Sequence, residues 1–242
     1  MTPPTRVTLV TGGARRVGAA IVRACAARGD AVVIHAAHSL EAAERLAGRL
    51  RADGAQATVV RADLLDPMAP AELVAQAHAA FGRLDVLVNS AANFVHAPLR
   101  TITPAQWDAS FALNVRAPFF LAQAAAACMA PGGVVVNITD HLAFETVPSM
   151  VAHGAAKAAL THVTRTLARA LAPDLRVNAI APGLVAEPED WEAADLARFL
   201  QRVPLGRAGR VEDVADAVCW LVDAPYVTGV VLPVDGGRGV AR

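Results

Sequence analysis

The chain has 242 residues, 55% of them hydrophobic and 18% charged, which is enough for one large α/β domain with a substantial core. Lys plus Arg and Asp plus Glu balance at 22 each, so no global field draws the chain to nucleic acid or to an anionic membrane. Cys25, Cys128 and Cys219 are far apart and show no metal-ligand spacing, so no metal site is expected; with no apolar leader over Met1–Arg6, the expected setting is a reducing cytoplasm.

In chain order, Arg6–Val10 is a β-branched run that reads as a buried strand, and Ala19–Arg28 reads as a helix stopped by Gly29. Between them lies Thr11-Gly12-Gly13-Ala14-Arg15-Arg16-Val17-Gly18. A strand, a glycine turn and a helix make a site for a phosphate-bearing ligand: residues without Cβ allow close backbone approach, and the free N–H groups of a helix start attract an anion. The strict G-x-G-x-x-G spacing is not met, so a purely structural turn is the competing reading of this stretch taken alone. Ala31–Ala36 reads as a strand, Leu40–Arg51 as a helix ending at Gly54, Gln56–Arg61 as a strand, Ala71–Phe81 as a helix stopped by Gly82, and Leu84–Asn89 as a strand. Thr103 is a candidate N-cap with Pro104 at the first helical position, opening a helix to Met129 with a bend near Pro118. Gly133–Thr139 is mostly Val and Ile and reads as a central strand. The uncharged run from Ala117 to Thr139 contains Pro131-Gly132-Gly133 and fits helix, turn and strand better than a membrane span. A long helix over Ser149–Leu171, a strand over Leu175–Ala181, helices over Glu189–Gln201 and Val211–Val222, and a strand over Gly229–Val234 complete the pattern.

Seven strands alternating with helices argue for a doubly wound parallel sheet covered on both faces, in a single domain. Such sheets bind ligands beyond the C-terminal strand ends, where strand order reverses. The residues there are Thr11, the stretch 36–39, Asp63, the stretch 89–94, Thr139, Asp140, Pro182 and Gly183. At the end of the second strand, His35-Ala36-Ala37-His38-Ser39 has no carboxylate to bond a ribose 2′-hydroxyl. Arg15, Arg16, His38 and Ser39 instead make a donor-rich cup for a 2′-phosphate, which favours NADP(H) over the alternative of solvated loop charges. Asp63 reads as a partner for the adenine amino group or as a cap for the next turn. Asn89 reads as a residue fixing backbone at its strand end or as a turn former.

Taken together, Thr11-Gly12-Gly13…Gly18, Asn89-Ser90-Ala91-Ala92, Asn114 in Leu-Asn-Val, Pro182-Gly183 and Val227-Thr228-Gly229 leading to Val234-Asp235-Gly236-Gly237 resemble the short-chain dehydrogenase/reductases over essentially the full chain. The resemblance implies a Rossmann-type fold, NADP(H), a small-molecule substrate and a homotetramer. It assigns the cofactor to Thr11, Gly12, Arg15, Arg16, Val17, Gly18, His38, Ser39, Asp63, Leu64, Asn89, Ser90, Ala91, Lys157, Pro182 and Gly183. Within the family the chain is similar to pteridine reductases and bacterial dihydropterin reductases. These share the basic pair in the first turn, an aromatic after Asn-Ser-Ala-Ala (Phe94), and an aspartate in the usual serine slot (Asp140). By this likeness Phe94 stacks one face of a pterin, Leu184 and Trp191 line the substrate site together with Asp140 and His153, and residues 184–202 form a lid. Trp191 and Phe199 read as walls of that lid or as ordinary core residues; Glu187, Glu189 and Asp190 place acid at its rim.

One position departs from the pattern. Where the family has Tyr-x-x-x-Lys, this chain has His153-Gly154-Ala155-Ala156-Lys157, and its only tyrosine, Tyr226, lies far away. Residues four apart share a helix face, so His153 and Lys157 point the same way. Lys157 is expected to bond the nicotinamide ribose, and Asn114 to help hold a water chain to that lysine. Imidazolium is a stronger acid than a phenol, with reference values of about 6.5 against about 10. A nearby Lys157 and a nearby Asp140 pull the histidine in opposite directions, so either a working His153/Asp140 proton donor or an impaired site follows. The expected function is an NADPH-dependent reductase of a pteridine-like substrate through Asp140, His153, Lys157 and Asn114. A carbonyl reductase is the alternative, and an NADP-binding oligomer without turnover the reading of another class.

Overall fold

Seven strands run parallel in the order β3-β2-β1-β4-β5-β6-β7. They are β1 (Val7–Thr11), β2 (Ala31–Ala36), β3 (Ala57–Arg61), β4 (Val86–Asn89), β5 (Gly133–Ile138), β6 (Leu175–Pro182) and β7 (Val231–Val234). The helices are α1 (Arg16–Ala27), α2 (Leu40–Ala52), α3 (Ala69–Phe81), α4 (Pro104–Phe111), α5 (Ala117–Ala126), α6 (Val151–Ala170), α7 (Ala193–Leu200) and α8 (Val211–Asp223). The computed structural model describes residues 4–186 and 191–240. Among these, no helix is long and apolar enough to cross a membrane.

The sheet is apolar on both faces because successive side chains of a strand point to opposite sides. Val10, Val32, Ile34, Val88 and Val136 pack against α1, α2 and α8. Their neighbours Leu9, Val33, Leu87 and Val135 pack against α3, α5 and α6. Burying each such side chain contributes about 1.5–3 kcal/mol, so the sheet is a rigid platform for what its strand ends carry.

Several boundaries differ from the sequence expectation, each for a local reason. Helix α1 starts at Arg16 and contains Gly18, which the sequence places in the turn. A Cβ on Gly18 would stand 2.2 Å from the Gly12 carbonyl oxygen, so this glycine serves close packing rather than helix breaking. The expected helix from Pro104 to Met129 is three pieces: α4, a π-helical turn over Ala112–Arg116, and α5. Pro118 has no N–H to return to the carbonyl four residues back, which fits a widened turn just before it. Thr103 does cap α4: its hydroxyl accepts from Gln106 N at 3.3 Å while Gln106 Oε1 accepts from Thr103 N at 2.9 Å. A tight turn over Pro148–Met150 precedes α6, and β7 starts at Val231 because Gly229 has φ +77°, outside the strand region. Helix α7 starts at Ala193; Glu189 and Asp190, where it was expected to begin, lie outside the described residues.

Leu87 is fully buried in β4, so Leu87→Ala is expected to lower the unfolding free energy by about 2–5 kcal/mol. Urea unfolding should show a lower midpoint with an unchanged slope.

Candidate active site

Strand order reverses between β1 and β4, with β2 and β3 on one side and β5 to β7 on the other. Thr11 stands opposite Asn89 in the register. Its hydroxyl oxygen accepts from Ser90 N and Ala91 N, both at 3.0 Å, and so fastens the chain leaving β4 to the end of β1. Gly12, at φ +62°, allows that approach: a Cβ there would meet Ala91 Cα at 2.9 Å. Arg15 caps α1 without a side-chain bond and no acid lies in the first turn, so the helix start is left open to an anion. Arg16, the first helical residue, holds φ +48°, a region that non-glycine residues rarely occupy. Arg15, Arg16 and His38 are exposed around this opening, Val17 and Ser39 are half-buried, and no carboxylate lies between His35 and Ser39. Asp63 Oδ1 accepts from Leu65 N at 3.0 Å, which makes it the cap of its turn, and Leu64 beside it is buried.

His35 is a residue that sequence reasoning passed over in favour of His38. The Gly12 N–H donates to His35 Nδ1 at 3.1 Å, and Nε2 lies 3.0 Å from the Ala62 carbonyl. A carbonyl only accepts, so Nε2 carries the proton and Nδ1 the lone pair. Burial pushes its pKa below the ordinary value, against the pull of Ala62 and Asp63, which favours this neutral form. The available signal was a lone polar residue inside the buried run Val32-Val33-Ile34-His35-Ala36.

A second missed feature is a buried ladder. Asn89 Nδ2 donates to Asn137 Oδ1 at 2.8 Å, Asn137 Nδ2 donates to Thr164 Oγ1 at 2.9 Å, and Thr164 Oγ1 donates to Leu160 O at 2.8 Å. All three side chains are buried, so the ladder joins β4, β5 and α6 where water cannot compete. Asn89 is thus a strand-end strut, not a turn former.

Helix α6 presents His153 and Lys157 one turn apart. Lys157 Nζ donates to the Ile138 carbonyl at 2.9 Å, and the Thr139 hydroxyl donates to the Lys157 carbonyl at 3.0 Å. Burial pushes the Lys157 amine down to about 8, partly opposed by Asp140. Asp140 Oδ1 accepts from Leu142 N at 2.8 Å, and Oδ2 lies 3.4 Å from His153 Nε2. His153 Nδ1 lies 3.1 Å from the Asn93 carbonyl, and the Phe94 ring sits 4.6 Å from the imidazole, tilted by 56°. Asn114, in the π-helical turn, does not turn its amide nitrogen to the lysine: Nδ2 donates to Asn93 Oδ1 at 2.7 Å, and Oδ1 is buried without a partner among the described residues.

On the far strands, Gly183 N donates to Val234 O at 2.9 Å, just past Pro182. Leu184, Leu205 and Val234 help line a cavity of about 340 Å³ in which Asp140, His153 and Lys157 take no part. Trp191 is 39% exposed and meets Phe199 edge to face at 5.4 Å, so neither is a core residue; α7 buries no side chain. Glu187, Glu189 and Asp190 lie outside the described residues. The chain around α7 is held instead by a charge cluster invisible in the sequence. Glu145 Oε1 meets Arg202 Nη2 at 2.8 Å, while Oε2 meets Arg238 Nη2 at 2.5 Å and His141 Nε2 at 2.8 Å. Arg238 also lies 4.0 Å above the Phe199 ring. No group of three metal-ligating side chains is arranged to hold an ion among the described residues.

A doubly wound parallel sheet, with an uncapped, acid-free helix start at its switch point and an Asp–His–Lys set at the next strand end, has Rossmann-type architecture. The family model described as enoyl-(acyl carrier protein) reductase matches residues 12–238. The putative ketoacyl reductase 2 of the granaticin polyketide synthase from Streptomyces violaceoruber is 39% identical over 97% of this chain and 96% of its own length. Among solved structures, FolM alternative dihydrofolate reductase 1 from Brucella canis, complexed with NADP, is 36% identical with a TM-score of 0.93, covering 99% of this chain and 96% of its own. A blue fluorescent protein from a metagenomic library, in complex with NADPH, is 36% identical with a TM-score of 0.92, over 98% of this chain and 99% of its own. The chain belongs to the short-chain dehydrogenase/reductase family of oxidoreductases.

The buried amine carries a stability signature. Below pH 8 Lys157 is charged in both states and the folded protein bears the full burial cost; between 8 and its ordinary 10.5 only the unfolded chain keeps the proton. Stability from this group therefore rises with pH across that window and is level above it. Relative to Lys157→Met, which lacks the charge, wild type should gain about 3 kcal/mol between pH 8 and 10.5, read by urea unfolding at each pH.

Proposed function

We propose that the protein is an NADPH-dependent reductase of a pteridine-like substrate, with Asp140, His153 and Lys157 standing where most of the family has Ser, Tyr and Lys. The observation that carries this reading is the Asp140 carboxylate, 3.4 Å from an imidazole that also faces the Phe94 ring. An acid pair beside an exposed aromatic suits a flat, nitrogen-containing ring that must be protonated as it is reduced. The likeness to FolM, named as an alternative dihydrofolate reductase, supports the same direction.

The residues present fit NADP(H). Gly12 and Gly18 let the turn close on Ala91 and on itself, the start of α1 carries no side-chain cap and no acid, and Arg15, Arg16, His38 and Ser39 supply donors suited to a 2′-phosphate. Asn89, Ser90, Ala91, Pro182 and Gly183 bring backbone to the nicotinamide side, and Leu64 with Asp63 borders the adenine side. When bound, the reduced nicotinamide supplies the hydride. Lys157 holds the ribose and keeps positive charge beside the developing anion; Asp140 and His153 donate the proton to the substrate nitrogen. Phe94 and Leu184 shape the pocket, with Trp191 and the segment 184–202 as its cover. A reducing cytoplasm and a homotetramer belong to the same proposal; exposed Trp107 and Phe120 near α4 and α5, and Trp220 on α8, support association.

A second reading, reduction of a ketone or aldehyde, is favoured by the ketoacyl reductase likeness. NADPH oxidation with dihydrobiopterin, dihydrofolate and a panel of carbonyl compounds separates the two: turnover confined to carbonyls sinks the pteridine reading. Tight NADPH binding with no turnover on any of them leaves the chain a binding protein.

On the reactive substrate, His153→Ala is expected to lower kcat by ~10²–10⁴, the usual worth of general acid catalysis, with His153→Tyr recovering part of it. Activity should fall as pH rises through about 8, where Lys157 loses its charge. Replacing both Arg15 and Arg16 by Ala should raise KM for NADPH far more than for NADH, measured by steady-state kinetics.

A further inference from the structure

His153 offers two ring nitrogens where a tyrosine would offer one hydroxyl, so which nitrogen meets the substrate decides what the residue can do. Nδ1 lies 3.1 Å from the Asn93 carbonyl oxygen, and Nε2 lies 3.4 Å from Asp140 Oδ2. A backbone carbonyl has no proton to give, so the Nδ1 contact is a hydrogen bond only when Nδ1 carries hydrogen. The neutral ring then has its lone pair at Nε2, and the second, transferable proton of the imidazolium sits between Nε2 and Asp140.

The Asn93 carbonyl is held for this purpose from two sides. Asn93 Nδ2 donates to Ala109 O at 2.9 Å, at the end of α4. Asn93 Oδ1 accepts from Asn114 Nδ2 at 2.7 Å, and the same amide nitrogen lies 3.3 Å from the Asn93 carbonyl itself. Flipping the Asn114 amide would set two carbonyl-type oxygens against each other, so the network fixes its orientation. Asn114 is buried and belongs to the π-helical turn, which places the clamp inside the fold.

We infer that Asn93, clamped by Asn114, is a positioning residue that locks His153 in its Nδ1–H form and thereby makes Nε2, together with Asp140, the proton-delivering end of the site. The inference rests on the proposed reductase reading for its chemistry, but not for its geometry. The Asp140–His153 contact is a hydrogen bond in either of two arrangements: imidazolium with carboxylate, or neutral ring with carboxylic acid. Both hold one proton, which passes to the substrate heteroatom as that heteroatom takes up the electron pair freed by hydride addition. What remains is a lone pair facing a carboxylate, and solvent supplies the proton that restores the pair. Asp140, with 28% of its side chain exposed against 3% for His153, is the route by which that proton returns.

The test is the tautomer itself. In protein labelled with nitrogen-15 at histidine and saturated with NADP⁺, long-range proton–nitrogen spectra are recorded as pH is raised until the rings are neutral, with His153→Gln assigning the resonances. The expected result is a protonated Nδ1 and an unprotonated Nε2 for His153, the reverse of the form that exposed histidines prefer. A neutral Nε2–H form in the wild type overturns the proposal whether or not any pterin is reduced. Asn93→Ala keeps the backbone carbonyl but loses the clamp. It should mix the two forms and lower kcat several-fold with KM little changed, and Asn93→Asp, which still accepts from Asn114, should recover part of both. An Asn93→Ala protein with the wild-type spectrum and kcat would also overturn it. If that variant does not fold, the wild-type spectrum decides alone.

Discussion

The bond from the Lys157 ammonium to the Ile138 carbonyl is the constraint on which the site depends. It fastens a charged group inside the fold at the end of β5, where burial has already lowered its proton affinity. The return bond from the Thr139 hydroxyl to the Lys157 carbonyl fixes the helix backbone at the same point. With α6 sewn to β5 in this way, His153 one turn earlier and Asp140 two residues after Ile138 have little freedom to part. The ladder of Asn89, Asn137 and Thr164 extends the tie to β4, so the switch point and the acid pair are parts of one hydrogen-bonded frame.

The two ends of the crevice use opposite physics. At the start of α1 the Arg15 and Arg16 side chains are exposed, with no side-chain cap and no acid in the first turn, a surface made to take an anion from water. At β5 and α6 the polar groups are buried and mostly spent on one another, a place made to hold protons rather than exchange them freely. A dinucleotide carries its charge at one end and its reacting ring at the other, and this polarity matches that division.

The alternation of elements was legible because buried parallel strands announce themselves by composition: Val134-Val135-Val136 and Val32-Val33-Ile34 have few other uses. The glycine turn, the Thr103 cap and the pairing of His153 with Lys157 follow from spacing along one stretch of chain. What was not legible was assembled across the fold. Asn114 was expected to help hold a water chain to the lysine; the bond of its amide nitrogen to Asn93, from a π-helical turn to the chain after β4, has no local mark in the sequence. Glu145 gathers Arg202 and Arg238 from 57 and 93 residues away, and no local pattern marks it. Gly18 reads from the sequence as part of the turn, and only the nearness of the Gly12 carbonyl shows why a glycine is needed inside the first turn of the helix.

His35 gives the phosphate end an unexpected property. Its ring is a strut between the first glycine of the turn and the Ala62 carbonyl, and it fits only while uncharged. A second proton on that ring would point a donor at the Gly12 N–H, and two donors cannot share a bond. Acid therefore works against the nucleotide end from beneath, inside the sheet.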